Sequence, residues 1–367
     1  MADERIHIMR VLYPLSWLYG IGVGVRNWLF DAGVLREHRF DVPVISVGNL
    51  TVGGTGKTPH TEYLLRLLSR QFRVAVLSRG YKRASKGFLL AGPETDVRML
   101  GDEPFQMKQK FPQVHVAVDA DRCHGIRQLC SDAVSPATEV VVLDDAYQHR
   151  YVKPGLNILL VNYHRMIDRD ALLPAGRLRE PASGKRRADV VIVTKCPSGL
   201  DKNEADGLAC RLALSPHQPL YFTTLVYGRL RPLFASGQGE LSLTDIGADK
   251  HLLLVTGIAS PAGMIKDLSP YSKHIVSLPF ADHHSFTSAD LERIRQRFMS
   301  LPQGERMIVT TEKDAVRLAS HPSLGEDLKP HIYVLPIEVS FLFDQQESFN
   351  LNITHYVTEN SRNRSFS

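Results

Sequence analysis

A glycine-rich loop at residues 51–58 (TVGGTGKT) is the strongest chemical signal in the chain. It follows an apolar, strand-like run at 42–47 and precedes residues 59–69, which carry apolar side chains at helical spacing. Glycines let backbone N–H groups approach phosphate oxygens without side-chain clashes. Lys57 would reach the β- and γ-phosphates of a nucleotide, and the Thr58 hydroxyl would hold Mg²⁺. The predicted nucleotide-binding residues of the loop are Thr51 (where the usual pattern has glycine), Val52, Gly53, Gly54, Thr55, Gly56, Lys57 and Thr58.

Two adjacent carboxylates follow a second strand-like run, at 140–143 (VVVL). Four apolar residues bring the chain out of the core, and Asp144 and Asp145 then appear at the carboxyl end of the strand. Ligands bind at this edge in open α/β sheets. We expect one Asp to hold Mg²⁺ directly or through water and the other to orient the ion or the acceptor. The predicted metal ligands are therefore Thr58, Asp144 and Asp145.

Residues 194–197 (TKCP) bear on which base the nucleotide carries. A guanine-binding protein needs an Asp two residues after the lysine of an [NT]KxD element, and Pro197 stands in that position. Guanine is therefore disfavoured, and Lys195 is interpreted as packing its stem along an adenine ring. The predicted cofactors are ATP and Mg²⁺.

Two further segments offer polar groups that could activate an acceptor hydroxyl. Residues 101–104 (GDEP) place Asp102 at a predicted helix start, where an N-terminal cap explains the acid equally well. Residues 282–284 (DHH) place a carboxylate beside His283 and His284, where it would tune their tautomers and basicity. The alternatives for this second segment are a metal pair, which lacks a third spaced ligand, and a surface loop.

The elements that position these groups alternate along the chain. Short β-branched runs are separated by segments of helical period, which is typical of a parallel sheet buried by helices on both faces. We predict an α/β protein with a P-loop-type parallel sheet lobe and a smaller Rossmann-like α/β lobe. Predicted strands lie at 42–47, 73–77, 114–118, 140–143, 156–161 and 190–193, and in the second lobe at 251–255, 274–278, 307–310 and 332–335.

The predicted division of the 367 residues follows the same pattern. Residues 1–35 form an N-terminal helix, residues 36–215 the P-loop lobe, and residues 251–367 the smaller C-terminal lobe. Between the lobes, residues 216–250 are predicted as a linker in which 221–226 and 229–234 form a two-stranded ribbon.

Composition limits the range of partners. A net charge of +5 suits anionic ligands such as nucleotides or phospholipid headgroups. No nucleic-acid-binding signature is visible, so we predict no nucleic-acid partner, and nothing indicates a stable protein partner. The four cysteines form no CxxC pair and have no zinc spacing, which favours free thiols in a reducing compartment.

The N-terminal run at 11–25 (VLYPLSWLYGIGVGV) is apolar and almost uncharged. It is shorter than the ~20 residues that span a bilayer, and it contains Pro14 and three glycines. Both tryptophans of the chain, Trp17 and Trp28, lie in or next to it, and such rings prefer the headgroup level of a membrane. We interpret it as a helix in the membrane surface, with a helix packed on the protein's own core as the alternative.

Seven segments, in order, resemble the tetraacyldisaccharide 4′-kinase (lipid A 4′-kinase) family, and the N-terminal run resembles that family's membrane-associating helix. One departure is Ala146-Tyr147, where the family more often has Gly-Phe. The matching segments are 48–59 (GNLTVGGTGKTP), 78–81 (SRGY), 101–104 (GDEP), 143–149 (LDDAYQH), 172–181 (LLPAGRLREP), 282–284 (DHH) and 311–314 (TEKD).

The resemblance implies ATP- and Mg²⁺-dependent phosphorylation of the 4′-hydroxyl of a tetraacylated glucosamine disaccharide 1-phosphate, at the cytoplasmic face of a Gram-negative inner membrane. It implies that Asp102 pairs with a histidine of the DHH segment, His283 before His284, to activate the hydroxyl when the lobes close. The partners are then the lipid A precursor and the inner leaflet. The residues expected to bind the acceptor are Asn49, Arg79, Tyr81, Gln148, His149, Arg177 and Arg179.

Two other classes remain open at this stage. One is a P-loop NTPase that drives a conformational or metal-delivery cycle without an acceptor, and the other is a soluble small-molecule kinase. The missing guanine Asp argues against the first, and the apolar N-terminus argues against the second.

Overall fold

The chain folds into two compact units, and the larger one is built on a mostly parallel sheet. A computed structural model describes residues 8–234, 239–257, 261–281, 284–303 and 306–364. Within those ranges the larger sheet has nine strands, in the spatial order β14-β8-β7-β6-β1-β5-β2-β4-β3. These strands are β1 (Val44–Asn49), β2 (Val74–Ser78), β3 (Leu89–Leu90), β4 (His115–Val118), β5 (Val140–Asp144), β6 (Leu156–Asn162), β7 (Val190–Thr194), β8 (Leu220–Tyr227) and β14 (Ile337–Phe341).

The register of the central strands brings their polar ends together. β1 pairs in parallel with β5 and β6, β5 with β2, β2 with β4, and β6 with β7. Val47 lies opposite Asp144, and Leu77 lies opposite Leu143, so Ser78 ends beside Asp144. Because these strands run the same way, the residues that follow each of them lie along one edge of the sheet.

The helices of the chain include two that begin at predicted functional residues. One begins at Lys57 and the other at Asp102. The α-helices are α1 (Tyr13–Asp31), α2 (Lys57–Leu68), α3 (Val97–Leu100), α4 (Asp102–Lys110), α5 (Arg122–Leu129), α6 (Lys202–Leu212), α7 (Pro261–Leu268), α8 (Ser288–Met299), α9 (Glu312–Ala319) and α10 (Gln346–Arg364). Short 3₁₀ turns lie at Arg10–Leu12, Ile167–Arg169, Ala182–Arg187, Leu243–Asp245 and Lys329–His331.

The core of the larger unit lies against the faces of its sheet. The strands have continuous buried runs of Val, Ile and Leu, as the sequence pattern predicted for strands covered on both sides. One cluster joins β1 and β2 to Leu64 and Leu68 of α2 and to Ile353 of α10. Another joins β2 and β5 to Ile126 and Leu129 of α5. This packing fixes the strand ends against which the functional loops rest.

The smaller unit has its own parallel sheet. In the described residues the strand order is β11-β10-β12-β13-β9, and β9 alone runs antiparallel to its neighbour. The α/β class predicted for both lobes is confirmed. The strands are β9 (Arg231–Pro232), β10 (His251–Thr256), β11 (His274–Pro279), β12 (Arg306–Thr311) and β13 (Ile332–Leu335).

The predicted two-stranded ribbon at 221–226 and 229–234 is wrong. β8 pairs in parallel with β7 in the larger sheet, whereas β9 pairs with β13 in the smaller one. The chain also returns to the larger unit at its C-terminal end, where Phe349 and Ile353 of α10 are fully buried in that unit's core. The sequence had placed these residues in the smaller lobe, since a local pattern does not show which distant strands a segment will join.

The apolar N-terminal run forms the helix α1, as predicted. Only Ser16 and Phe30 of this helix are buried, while Trp17, Leu18 and Ile21 are each more than 60% exposed. Its inner side is anchored by polar contacts, because Ser16 Oγ donates to the carbonyl of Leu172. Among the described residues we find no helix that is both long and apolar enough to cross a bilayer. Packing on the protein's own core therefore buries only part of the apolar surface of this helix.

Candidate functional site

The glycine-rich loop is closed by contacts from both of its ends. Gly56 has φ +80°, which favours glycine, and α2 begins at the next residue. The His60 ring, one turn into α2, bonds the carbonyl of Gly56 through Nδ1 at 2.7 Å. At the other end the Asn49 amide donates to Thr55 Oγ1 at 2.8 Å. The loop is thus held in one shape before any phosphate arrives.

A second segment runs alongside the start of the loop. The N–H of Val52 donates to the carbonyl of Arg177 at 2.8 Å, and the N–H of Arg179 donates to the carbonyl of Leu50 at 2.7 Å. The 172–181 segment, which carries the predicted acceptor contacts Arg177 and Arg179, is therefore part of the loop's own support. Its two arginines are carried to the loop by backbone pairing.

Two cationic side chains lie close to the loop glycines. A Cβ placed on Gly53 would be 3.6 Å from a guanidinium nitrogen of Arg177. One placed on Gly54 would be 3.6 Å from Nζ of Lys195. Lys195 also has φ +58°, an uncommon conformation for a lysine, of the kind that clusters at functional sites. With Lys57, three cations thus surround a loop whose shape suits phosphates.

Asp144 is a deeply buried carboxylate at the end of β5. Its two oxygens accept from Thr61 Oγ1 at 3.0 Å and from Ser78 Oγ at 3.3 Å. Burial, together with the negative charges of Glu103 and Asp145, raises the pKa of Asp144 to about 7, even though Lys57 and the Thr61 hydroxyl oppose the shift. Asp144 is thus a carboxylate whose charge calls for a nearby cation.

Asp145 lies in a different electrostatic environment. Its carboxylate is 3.6 Å from Nζ of Lys57 and accepts from Arg179 at 2.9 Å. Although burial raises the pKa of Asp145, these two cations outweigh it and hold that pKa below the ordinary value. The residue has φ +48°, which turns its side chain away from the strand. One carboxylate of the pair is therefore charged at neutral pH, and the other is readily protonated.

The helix α4 begins at the same edge of the sheet. Its cap position is Gly101, with φ +90° and no capping side chain, and Asp102 is the first helical residue. Asp102 is therefore not the N-cap residue, but it lies in the first turn, where an acid also interacts favourably with the helix dipole, so the catalytic role of Asp102 stays a prediction. The effect of Glu103 on the pKa of Asp144 indicates that this helix start lies near the end of β5.

A group of basic side chains lies beside the carboxylates. Arg122, the first residue of α5, is 3% exposed, and its pKa is lowered to about 10 by burial and by the neighbouring charge of Arg79. Its Nε has no hydrogen-bond partner among the described residues. Burial and the Arg122 charge likewise lower the pKa of His149 to about 4. This group would gain from a bound anion.

The predicted acceptor contacts fall into two sets. Arg79, Tyr81 and Arg177 are exposed, so their assignment stays a prediction. Asn49 is fully buried, and its side-chain oxygen accepts from Arg179, so its assignment as an acceptor contact also stays a prediction. The Gln148 amide donates to the carbonyl of Asn49 at 2.7 Å. In this structure the contacts of buried Asn49 and half-buried Gln148 join them to the residues around the loop.

The DHH segment is described only in part. Asp282 and His283 lie outside the described residues, so their predicted roles stay predictions. His284 stacks on Phe280 with ring centroids 5.0 Å apart, and its Nε2 bonds Asp290 at 2.9 Å. Asp290 in turn completes the capping box of α8. His284 is thus engaged in a structural contact, which leaves His283 as the stronger catalytic candidate.

Three residues of this site were missed by the sequence analysis: Thr61, Ser78 and Arg122. Ser78 and Arg122 follow parallel strands at the same edge as Asp144, so the edge rule could have found them. Thr61 lies three residues after Thr58 on α2, hence on the same face of the helix. Its contact with Asp144 depends on how α2 packs, which no local pattern reveals.

Comparison with known proteins identifies the relatives of this chain. Residues 8–357 match the family model described as tetraacyldisaccharide-1-P 4′-kinase (LpxK). A protein of Phocaeicola vulgatus named tetraacyldisaccharide 4′-kinase is 65% identical over the full length of both chains. One of the same name from Bacteroides thetaiotaomicron is 54% identical, over 100% of this chain and 98% of the relative.

A solved structure shares the fold. It is described as the "apo" form of LpxK from Aquifex aeolicus in complex with ATP. The TM-score is 0.72 with 29% identity, and the match covers 95% of this chain and 99% of that one. The predicted family is confirmed by these matches together with the loop and carboxylates described above. The chain belongs to the tetraacyldisaccharide-1-phosphate 4′-kinase family of lipid A kinases.

Proposed function

We propose that this kinase transfers the γ-phosphate of ATP to the 4′-hydroxyl of a tetraacylated disaccharide 1-phosphate at a membrane surface. The observation that carries the proposal is the meeting of Lys57 with Asp144 and Asp145 at one edge of a parallel sheet, in a chain 65% identical to a protein of that name. Phosphoryl transfer needs this combination of a phosphate cradle and metal-binding carboxylates.

ATP would be held by the loop and its surrounding cations. Backbone N–H groups of residues 53–58 would bind the phosphates, and Lys57 would neutralise the β- and γ-phosphates. Lys195 borders the loop near Gly54. The neighbour from Aquifex aeolicus was solved with ATP, which supports the same ligand here. We therefore propose ATP as the phosphate donor of this chain.

The carboxylates fit a hard divalent cation such as Mg²⁺. The oxygen donors would be Thr58, Asp144 and Asp145. Burial and the charges of Glu103 and Asp145 raise the pKa of Asp144, so its charged form would gain from a bound cation. When bound, Mg²⁺ would supply positive charge that neutralises the negative charge developing during transfer. Thr61 and Ser78 orient the Asp144 carboxylate, and Lys57 and Arg179 orient that of Asp145.

Asp102 is the proposed group that accepts or orients the acceptor hydroxyl. It begins α4 near Asp144, and the glycine before it leaves this end of the helix uncovered by a capping side chain. A carboxylate in that position takes the proton as the new O–P bond forms, or aligns the hydroxyl if the transition state is loose. His283 is the proposed partner that the family resemblance implies.

The basic group around Arg122 is proposed to bind the 1-phosphate of the acceptor. Arg122 is buried with an unpartnered Nε, and the neighbouring charge of Arg79 adds to the positive potential there. An arginine pair offers the planar, multiple donors that match a phosphate group. Arg177, at the loop, is the further candidate on the same edge.

The helix α1 is proposed to rest in the membrane surface. Val11, in the turn before the helix, is 82% exposed, and Trp17, Leu18, Ile21 and Trp28 of the helix are all at least 63% exposed. An exposed apolar helix side with tryptophans is suited to the headgroup and upper acyl region. The acyl chains of the acceptor could then stay in the bilayer while its sugar reaches the loop, at the inner leaflet that the resemblance implies.

A labelled-phosphate assay tests the proposal. The purified chain is mixed with γ-labelled ATP, Mg²⁺ and the tetraacylated disaccharide 1-phosphate in detergent, and labelled lipid is separated from ATP. We expect a lipid with one added phosphate, and Asp102→Ala should lower turnover by ~10²-fold or more while ATP affinity changes little. Asp206→Ala, at an exposed position of α6, is the control. ATP hydrolysis without labelled lipid would contradict the proposal.

A further inference from the structure

A buried ion pair joins the helix that follows the loop to the helix that begins at Asp102. Lys110 of α4 lies 2.5 Å from one carboxylate oxygen of Glu62 in α2, and the side chains are 8% and 3% exposed. The other Glu62 oxygen accepts from Gln106 of α4 at 2.6 Å. Each oxygen of this buried carboxylate therefore has a contact with α4.

Helical spacing places these contacts on the functional faces of both helices. Asp102, Gln106 and Lys110 are four residues apart in turn, so they form one stripe along α4. Thr58 and Glu62 are likewise four apart and share a face of α2. Glu62 therefore joins two helix faces. The face of α4 carries Asp102 at its start, and the face of α2 carries the predicted metal ligand Thr58.

Stability alone is a poor explanation for this arrangement. Two charges taken out of water lose hydration that their attraction only partly restores, and apolar side chains of similar size often replace a buried pair without loss of stability. An ion pair with directed hydrogen bonds does, however, define the rotation and the height of one helix against the other. Apolar contacts are non-directional and define both less sharply.

We propose that Glu62 and Lys110 are positioning residues that fix Asp102 relative to the nucleotide loop. The inference rests on the proposed role of Asp102 in phosphoryl transfer. Glu62 touches neither ATP nor the acceptor in this view; it sets the register of α4, a helix of only nine residues. A displacement of about 1 Å in a reacting group can cost ~10²-fold in rate, so a small slip of α4 would matter.

Replacement of the whole pair tests the inference. The double variant Glu62→Leu with Lys110→Met removes both charges of the pair together, so the protein should fold with a melting temperature near the native value. We expect kcat for lipid phosphorylation to fall ~10- to 100-fold while KM for ATP stays within about twofold. Amide hydrogen exchange over residues 105–110 should become faster, because α4 is held less rigidly.

Two further proteins complete the experiment. Gln106→Leu removes one hydrogen bond to Glu62 without touching the ion pair, and it should lower kcat by a smaller factor than the double variant does. If the double variant does not fold, Gln106→Leu serves as the test in its place. Arg73→Met with Glu139→Leu removes an ion pair at the opposite, amino edge of the sheet and serves as the control, with kcat unchanged.

The outcomes separate this inference from the proposed function. If the folded double variant shows unchanged amide exchange in α4, the positioning role is overturned whatever the value of kcat. If the double variant does not fold, the same conclusion is drawn from unchanged exchange in Gln106→Leu. Absence of lipid phosphorylation by the native chain overturns the proposed function instead, and exchange then decides the inference by itself. Faster exchange with a loss of kcat and a constant KM supports both.

Discussion

The hydroxyl of Tyr19 in α1 donates to the backbone carbonyl of Arg179 at 2.9 Å, while the Arg179 guanidinium donates to Asp145 at 2.9 Å. One residue therefore lies between the exposed apolar helix and the carboxylate that pairs with Lys57. Arg26, two turns further along α1, donates to the carbonyl of Gln148, which itself holds Asn49. The proposed membrane surface and the phosphate loop thus share a set of hydrogen bonds within the larger unit.

Tyr19→Phe tests this connection. Burial and the nearby Glu180 raise the pKa of Tyr19, so its hydroxyl remains a donor over the working pH range. Loss of one partly buried hydrogen bond should cost ~1 kcal/mol of unfolding free energy and lower kcat by about two- to fivefold, since Arg179 loses an anchor. The measurements are denaturant unfolding and the labelled-lipid assay.

The control for Tyr19→Phe is Tyr13→Phe in the same helix, where the side chain is 37% exposed. It should leave both unfolding and turnover near native values. Equal effects of the two substitutions would mean that the Arg179 contact has no special weight.

Asp144→Asn should abolish transfer yet stabilise the ligand-free protein at alkaline pH. The pKa of Asp144 is about 7 in the folded chain and near 3.8 when unfolded, so the folded state favours the protonated acid. Stability linked to this group is complete below pH 3.8 and is lost as pH rises through about 7. The asparagine variant escapes that loss, so its advantage in melting temperature should grow between pH 5 and pH 8.

The same experiment with Mg²⁺ and ATP gives the contrasting result. The native protein should gain stability from the ligands, and Asp144→Asn should gain much less, because stabilisation by a ligand grows with the logarithm of ligand concentration over Kd. A melting-temperature difference that is the same at pH 5 and pH 8 without ligands would contradict the assigned environment of Asp144.

His60→Ala should destabilise the protein more at neutral than at acid pH. The ring is 4% exposed, bonds Gly56 and Thr223, and has its pKa lowered to about 4 by burial. Its stabilising contribution is therefore present above pH 6.5 and is lost as pH falls towards 4, because the unfolded chain then takes up a proton. We expect a loss of ~1–3 kcal/mol at pH 7.5 that shrinks at pH 5.

The check on His60 is chemical denaturation across this pH range, with ATP affinity measured in parallel. Affinity should fall as well, since the Gly56 carbonyl loses its anchor. His164→Ala removes an exposed histidine and should show no such pH dependence. A penalty for His60→Ala that is constant with pH would refute the buried neutral state.

The apolar side of α1 should control membrane affinity. Replacing Trp17, Leu18 and Ile21 with serine removes three large side chains that are 63–74% exposed. Each is worth ~1.5–3 kcal/mol when fully buried, so binding to vesicles should fall at least tenfold. Co-sedimentation with phospholipid vesicles measures the change. Leu351→Ser, 62% exposed on α10, is the matched control, and an equal fall for both would point to nonspecific adsorption.

Much of the site follows from local sequence. The β-branched runs before Gly48 and Asp144 predicted buried parallel strands, and the same direction of those strands placed the glycine loop and the paired carboxylates at one edge. A helix directly after the loop, predicted at 59–69, and a helix start at Asp102 were likewise visible from the sequence, although the first helix begins two residues earlier, at Lys57. These features depend on residues that are close in the chain, which is why periodicity reveals them.

Other features required the tertiary structure. The contacts of Asp144 with Ser78, of Asp145 with Arg179 and of Glu62 with Lys110 join residues 34 to 66 positions apart. Local patterns also did not predict that β8 pairs in the larger sheet or that α10 packs in the core of the larger unit. Such pairings are decided by which apolar faces bury each other, and that free energy depends on the whole packed arrangement rather than on any one segment. The sequence by itself therefore determined which chemical groups the site has and at which edge of the sheet they lie. Only the packing decided which of these side chains contact one another.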